Sequence, residues 1–145
     1  MAKARPRRPD LMTVDQPPRL IGHVCGACGR QAFPPDPYGC ERCGAPAKEL
    51  VRCELEARGT IQAVAVVHRH HRPVPPTPFT VATIVLGDGI ALKAVLDEGE
   101  AEPGTDPPAV GSVVRGVPVS AGTDDEGVEL LDLRFEVVPD EPEVE

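Results

Sequence analysis

Cys25-Gly-Ala-Cys28 and Cys40-Glu-Arg-Cys43 place four cysteines in two Cys-x-x-Cys knuckles with eleven residues between them. Each knuckle brings two thiolates onto one tight turn. Two such turns facing each other complete a tetrahedron of soft sulfur ligands suited to Zn2+. A glycine follows the second cysteine of each knuckle, Gly29 and Gly44. Such turns often need positive φ and close approach of backbone amides to sulfur, which glycine permits. Paired knuckles are a strong zinc signal. With Cys25, Cys28, Cys40 and Cys43 all ligating, no position is left for an activated water, so the expected role is structural.

The surrounding composition gives the reason for a metal. Between about residues 20 and 52 the sizeable apolar groups are Ile21, Val24, Phe33, Tyr38, Leu50 and Val51, with Leu20 at the boundary. A module below about 40 residues seldom folds without a metal, a disulfide or a partner. A structural zinc supplies about 10–16 kcal/mol of apparent binding energy at neutral pH. Disulfides are the competing use of the cysteines. The start, Met1-Ala-Lys-Ala-Arg-Pro-Arg-Arg, leads into no apolar run of the kind a secretory signal needs, and no stretch approaches a membrane span. A reducing cytoplasmic location and a metal site are therefore expected. Cys53 reads as a small half-buried residue at the start of the next module.

The 145 residues divide by composition. Residues 1–19 are rich in proline and arginine and are expected to form a flexible arm; residues 20–52 are the ribbon; residues 53–138 read as β-structure; residues 139–145 are an acidic tail expected to be disordered. Residues 1–52 carry nine Lys/Arg against five Asp/Glu, and the remainder six against eighteen, so the net charge of −8 belongs to the β module and tail.

Five strands are expected in the β module, at about 60–70, 79–86, 90–97, 113–119 and 131–137. In the first, alternation puts Ile61, Ala63, Ala65 and Val67 on one face. In the last, Leu131, Leu133, Phe135 and Val137 face in while Asp132, Arg134 and Glu136 face out. Gly87-Asp88-Gly89 makes the second and third a hairpin. Five short strands without helices suit a mainly β fold, a five-stranded OB-fold barrel after a rubredoxin-like zinc ribbon. An SH3-like barrel or small sandwich would fit the strand pattern nearly as well.

Candidate chemistry outside the ribbon is sparse. There is no Gly-x-Ser-x-Gly elbow, no phosphate-binding Gly-x-x-x-x-Gly-Lys loop and no Gly-x-Gly-x-x-Gly. His68-Arg69-His70-His71-Arg72 is the one dense polar cluster. A strand would put His68 and His70 on one face, the spacing a second metal site could use, but the local sequence supplies no third ligand. A solvated strand end, or a basic contact with an anionic ligand or partner, fits it better. Arg58 is a second, isolated basic candidate. Nucleic-acid binding needs aromatic platforms and a positive groove, whereas this chain has three Phe, one Tyr, no Trp and an acidic β module. Only Lys3, Arg5, Arg7 and Arg8 form a cationic run.

Four segments together resemble a known family. The ribbon reads Cys25-x-x-Cys28-Gly-Arg-Gln-Ala-Phe-Pro-Pro, then Cys40-x-x-Cys43-Gly. Glu56-Ala-Arg-Gly-Thr-Ile-Gln-Ala-Val-Ala-Val-Val and Pro78-Phe-Thr-Val-Ala-Thr-Ile-Val-Leu-Gly-Asp-Gly follow, and then Val110-Gly-Ser-Val-Val-Arg-Gly-Val-Pro-Val. Over about residues 20–138 this looks like the zinc-ribbon and OB-fold proteins associated with acyl-CoA metabolism and thiolase-like enzymes. The resemblance implies a non-catalytic accessory subunit in a hetero-oligomer with a thiolase-superfamily partner. Such partners carry out thiolysis, Claisen condensation, acyl transfer or retro-aldol cleavage on CoA thioesters. It also implies structural Zn2+ on the four cysteines, help in assembling the partner, and a contribution to its CoA channel. Relatives often carry a helical, aromatic-containing lead-in that the proline-rich residues 1–19 do not match. On this reading Arg58, His68, Arg69, His70, His71 and Arg72 are the candidate contacts to partner or CoA thioester.

Overall fold

The computed structural model describes residues 4–15, 17–72, 75–87, 89–98 and 106–139. The chain divides into two compact units, Met1–Ala57 with Pro118–Leu133, and Arg58–Val117 with Arg134–Glu145. The described residues are mainly β, with one 3-10 turn at Ala47–Glu49 and no α-helix. The strands are β1 (Arg5–Pro6), β2 (Arg19–Cys25), β3 (Gln31–Ala32), β4 (Leu50–Glu56), β5 (Arg58–Val67), β6 (Phe79–Leu86), β7 (Ala91–Val95), β8 (Val113–Thr123) and β9 (Glu129–Val137).

In the first unit β2 is central, with β3 on one side and β4 on the other, both antiparallel. Met12, Leu20, Ile21 and Leu55 are buried here, a small apolar set for so much backbone. In place of a free arm, the arginine-rich N-terminus is tied down. β1 pairs in parallel with Leu130 and Leu131 of β9, and the Arg7 amide donates to the Leu131 carbonyl at 2.8 Å. Arg5 reaches Asp124 at 2.9 Å and Arg7 reaches Asp132 at 2.8 Å. Local composition could not show this, because every partner lies more than 100 residues away in sequence.

The five expected strands are present as β5 to β9, of which the second unit holds β5, β6, β7 and residues 113–117 of β8 and 134–137 of β9. The sheet order β1-β9-β8-β5-β6-β7 leaves β7 at one end. Closure comes just beyond it: Leu96 forms a parallel bridge with Phe135 of β9, and the Asp97 amide donates to the Phe135 carbonyl at 2.7 Å. A parallel third-to-fifth contact closes the five-stranded ring of an OB-fold and removes the open edge that a sandwich would keep. Phe135 is 1% exposed and packs in the same interior as Ile61, Ile84, Leu92 and Val114. Burying a side chain of this size contributes about 1.5–3 kcal/mol.

Two face assignments differ from simple alternation. In β5 the pairing with β6 slips between Ile61 and Ala63, so Ile61 faces Ile84 but Val64 faces Ala82 and Val66 faces Thr80. Gln62 is the extra residue of a bulge, which reverses the phase of everything after it. Val64 and Val66 are half-buried, whereas Ala63 and Ala65, expected to face in, are exposed. In β9 Phe135 is buried and Leu131 and Leu133 are half-buried, but Val137, expected inside, is 39% exposed. The Gly87–Gly89 turn is present: the Gly89 amide donates to the Leu86 carbonyl and Gly89 takes φ of 86°, while Asp88 lies outside the described residues. The expected tail, apart from Pro139, also lies outside them.

Candidate metal centre

Each knuckle is built the same way. In the first, the Gly29 amide donates to the Cys25 carbonyl at 2.8 Å and the Cys25 amide to the Arg30 carbonyl at 2.9 Å. In the second, the Gly44 amide donates to the Cys40 carbonyl at 2.9 Å and the Cys40 amide to the Ala45 carbonyl at 2.8 Å. Gly29 and Gly44 take φ of 79° and 78°, the left-handed conformation expected of a glycine at this place. The β2–β3 pairing carries one knuckle, and an isolated bridge between Gly39 and Pro46 flanks the other.

These turns bring the Sγ atoms of Cys25, Cys28, Cys40 and Cys43 within 4.8 Å of one another. Cys25 lies 3.7 Å from Cys43, and Cys28 lies 3.7 Å from Cys40. That is far beyond a disulfide, whose sulfurs sit about 2.05 Å apart. It matches the edge of a tetrahedron around a metal with sulfurs at about 2.3 Å, which is about 3.75 Å. The four sulfurs therefore fit one tetrahedral metal ion. Among the described residues they are the one group of three or more His, Cys, Asp or Glu side chains so placed.

The thiols differ in acidity. The Cys43 amide, aided by the Arg42 amide and by the thiols of Cys28 and Cys43, brings Cys40 down to about 6 against the opposing effect of burial. Cys43 is pushed up to about 12: the Ala45 amide acts to lower it, but burial and the thiols of Cys28, Cys40 and Cys25 outweigh that pull. Four thiols in one site ionise in sequence, each thiolate discouraging the next. A divalent cation removes that conflict, because it stabilises all four anions together.

The His/Arg cluster is arranged otherwise than a strand would have it. β5 ends at Val67, so His68 and His70 do not share a sheet face, and the spacing considered for a second metal is not realised. His68, Arg69, His70, His71 and Arg72 are all exposed. The His70 and His71 rings lie 4.9 Å apart, and His70 meets Phe79 edge-on at 5.4 Å. His70 Nδ1 accepts from the Arg72 amide at 3.4 Å, a long bond that curls the segment on itself. Arg58 opens the same ten-residue strand that the cluster follows, so about 30 Å of β-structure separates them. They are two sites rather than one. Cys53 is half-buried in β4 opposite Gly22.

Sequence reading missed His23. It lies in β2 two residues before Cys25, is 3% exposed, and lines a cleft of about 350 Å3. Its one local signal is position: it alternates with Ile21 and Cys25 along β2, and both are buried.

No family model and no curated protein matches the chain. Among solved structures the chain does have a counterpart. The chain is similar to the Ltp2-ChsH2(DUF35) aldolase. The likeness is 27% identical with a TM-score of 0.61, and it covers 82% of this chain and 84% of that one. Both units are therefore largely included. The aldolase carries two names, Ltp2 and ChsH2(DUF35), the latter giving the DUF35 label.

Proposed function

We propose that this chain is a non-catalytic accessory subunit of a thiolase-superfamily enzyme acting on CoA thioesters, joined to it in a hetero-oligomer. The observation that carries this reading is the likeness to the Ltp2-ChsH2(DUF35) aldolase across most of both chains. It agrees with the family resemblance of the ribbon and the Arg58-Gly59-Thr60 and Gly87-Asp88-Gly89 segments. Among thiolysis, Claisen condensation, acyl transfer and retro-aldol cleavage, an aldolase neighbour favours retro-aldol cleavage by the partner. The three-stranded sheet of β2, β3 and β4, which runs on to Glu56 and so takes in Cys53, would serve as the rubredoxin-like ribbon, and the strands from β5 onward as the OB-fold module.

Cys25, Cys28, Cys40 and Cys43 would hold one Zn2+, which fixes the ribbon. Four thiolates complete its coordination, so the ion takes no substrate and activates no water. What the ribbon then offers is a rigid surface at little cost in ordering when a partner binds. His68, Arg69, His70, His71 and Arg72 form the basic edge we assign to the partner or its CoA thioester, whose phosphates an acidic chain otherwise repels. Arg58, at the other end of β5, is a separate candidate contact.

Nucleic-acid binding, the other reading of a ribbon with an OB-fold, loses its main cationic support. Arg5, Arg7 and Arg8 are each paired, with Asp124, Asp132 and Asp10. Lys3 lies outside the described residues. Affinity purification at native expression tests the proposal. A thiolase-superfamily protein is expected in near-stoichiometric amount, and recovery of this chain alone would overturn the reading.

A further inference from the structure

A strand at the end of a sheet carries a row of unpaired amides and carbonyls, and native proteins shorten, cover or charge such edges. Most strand ends of this chain are managed in that way. β1 is two residues long and includes Pro6, and β3 is also two residues long. The run of β7 is tied to β9 just beyond its end, through Leu96 and Phe135. β4 differs: it runs seven residues, Leu50–Glu56, at one end of the order β3-β2-β4.

The bonds of β2 show which groups of β4 face outward. The Ile21 amide donates to the Leu11 carbonyl, the Thr13 amide donates to the Arg19 carbonyl, and the Cys25 amide donates to the Arg30 carbonyl. Arg19, Ile21 and Cys25 therefore turn their backbone groups away from β4, and the residues between them turn theirs toward it. Ile21 stands opposite Glu54 and His23 opposite Arg52. Hydrogen-bonded and non-hydrogen-bonded pairs alternate along an antiparallel ladder. Arg52 and Glu54 thus fall in non-hydrogen-bonded pairs with β2 and direct amide and carbonyl to the outer side. The Leu50 amide is taken up by the Ala47 carbonyl. Among the described residues no backbone group meets Arg52 or Glu54 on that side, and both residues are exposed.

We infer that this edge pairs with the same edge of a second copy of the chain, antiparallel about a twofold axis at Cys53. A twofold contact sets residue i opposite residue j and j opposite i. With the axis at Cys53, Arg52 lies opposite Glu54 of the second copy, and Glu54 opposite its Arg52. Both are pairs whose backbone groups point at each other, so each exchanges its hydrogen bonds. Moving the axis to Arg52 would set arginine against arginine, and moving it to Glu54 would set glutamate against glutamate. Like charges directly opposite are destabilising, so charge selects the middle register. Within one chain Arg52 and Glu54 are 3.8 Å apart, a loose ion pair that the cross-strand pairs replace. On the other face Val51, 57% exposed, comes beside Leu55 of the second copy. The edge lies within the first unit, and the inference does not rest on the accessory-subunit reading.

A pairing of short edge strands buries less than a standard interface, so the dimer fills only at high protein concentration. The test uses the full zinc-loaded chain in analytical ultracentrifugation, at concentrations up to on the order of 1 mM. A monomer–dimer equilibrium is expected. Arg52→Glu alone, or Glu54→Arg alone, makes both symmetric pairs repulsive and should weaken association by about tenfold or more. The two changes together restore opposite charges in the same register and should return association to within about threefold of the original. Both positions are exposed, and zinc content and Tm show that each variant is folded.

A second readout checks the register. The Cys53 residues meet as a non-hydrogen-bonded pair with Cα atoms about 4.5 Å apart, within disulfide range. Diamide, which is reduced as it takes up the two thiol hydrogens, should link Cys53 to Cys53 of the second copy, located by mass spectrometry of tryptic peptides. The link should form in the original and the double variant and be depleted in the single variants. A monomer at every concentration, as when the edge serves another protein or is merely blunted by its charges, would overturn the inference. So would a dimer that the single reversals leave unchanged, that the double exchange fails to restore, or that yields no Cys53 link.

Discussion

Replacing Gly59 by alanine should destabilise the barrel because there is no room for a single methyl group. Gly59 sits in β5 between two neighbours, facing Leu86 of β6 and Val114 of β8. A Cβ at this place would press into the carbonyl oxygen of Val85, with the carbonyl carbon at 2.8 Å and Ile84 Cγ2 at 3.0 Å. The obstacle is backbone, so it cannot swing aside as the end of a long side chain would. Overpacking of this kind costs about 1–3 kcal/mol. Lengthening one ladder hydrogen bond beside it adds about 0.5–1.5 kcal/mol. The sum, about 1.5–4.5 kcal/mol, corresponds to a fall in Tm of roughly 3–18 °C for a chain of this size. Gly87→Ala is the control, since nothing lies within 4 Å of its would-be Cβ and its φ is not positive. It should be neutral or stabilising by about 0.4–1 kcal/mol through the unfolded chain. Thermal and urea unfolding followed by circular dichroism, both with zinc in excess, measures the pair. A Gly59→Ala protein as stable as the original, or a Gly87→Ala protein equally damaged, would refute the close-approach reasoning.

Three further outcomes are expected. Cys43→Ser should abolish stoichiometric zinc, measured by elemental analysis, and make residues 20–52 protease-sensitive while β-structure elsewhere persists, since the ribbon loses about 10–16 kcal/mol of apparent metal binding. Intact protease resistance of a metal-free ribbon would contradict it. Asp124 is held below the usual carboxylate range first by the Arg5 guanidinium and then by the Val128 amide. Its contribution to stability is present above the unfolded carboxylate value and is lost as pH falls through the lower folded value. Asp124→Asn should therefore show a shallower acid loss than the original as pH falls below the usual carboxylate range, and superimposable acid curves would exclude that role. Changing Arg69 and Arg72 together to alanine should raise the partner's KM for its thioester or loosen the complex without lowering Tm. Unchanged kinetics and assembly would return the cluster to a solvated strand end.

The four-cysteine cluster was legible in the sequence because its information is local. Two cysteines on one turn, followed by a glycine, specify a knuckle whatever the rest of the chain does, and Gly29 and Gly44 adopt the backbone that reasoning requires. The strands were legible for a similar reason: period-two alternation is a property of a few consecutive residues. Face assignment failed where one residue broke the period, at Gln62, since a bulge leaves no mark in composition. The basic cluster was misplaced by three residues of strand. Those three decide whether two histidines share a sheet face or hang free beyond its end.

Four thiolates to gather, five strands to form and an acidic β module were therefore settled by sequence alone, each through short-range stereochemistry or simple charge. Only the tertiary structure decided that Leu96 bridges Phe135, which turns five strands into a closed barrel. It also decided that the arginine-rich start pairs with β9 and surrenders its charges to Asp124 and Asp132. His23 belongs to the same class: it is buried, and the cleft it helps to line is completed by Pro9, Pro35, Ala47 and Arg52, in segments that local periodicity does not join to β2. Pairings between distant residues depend on which surfaces the whole chain brings together, and that choice is made by packing rather than by any one stretch of sequence.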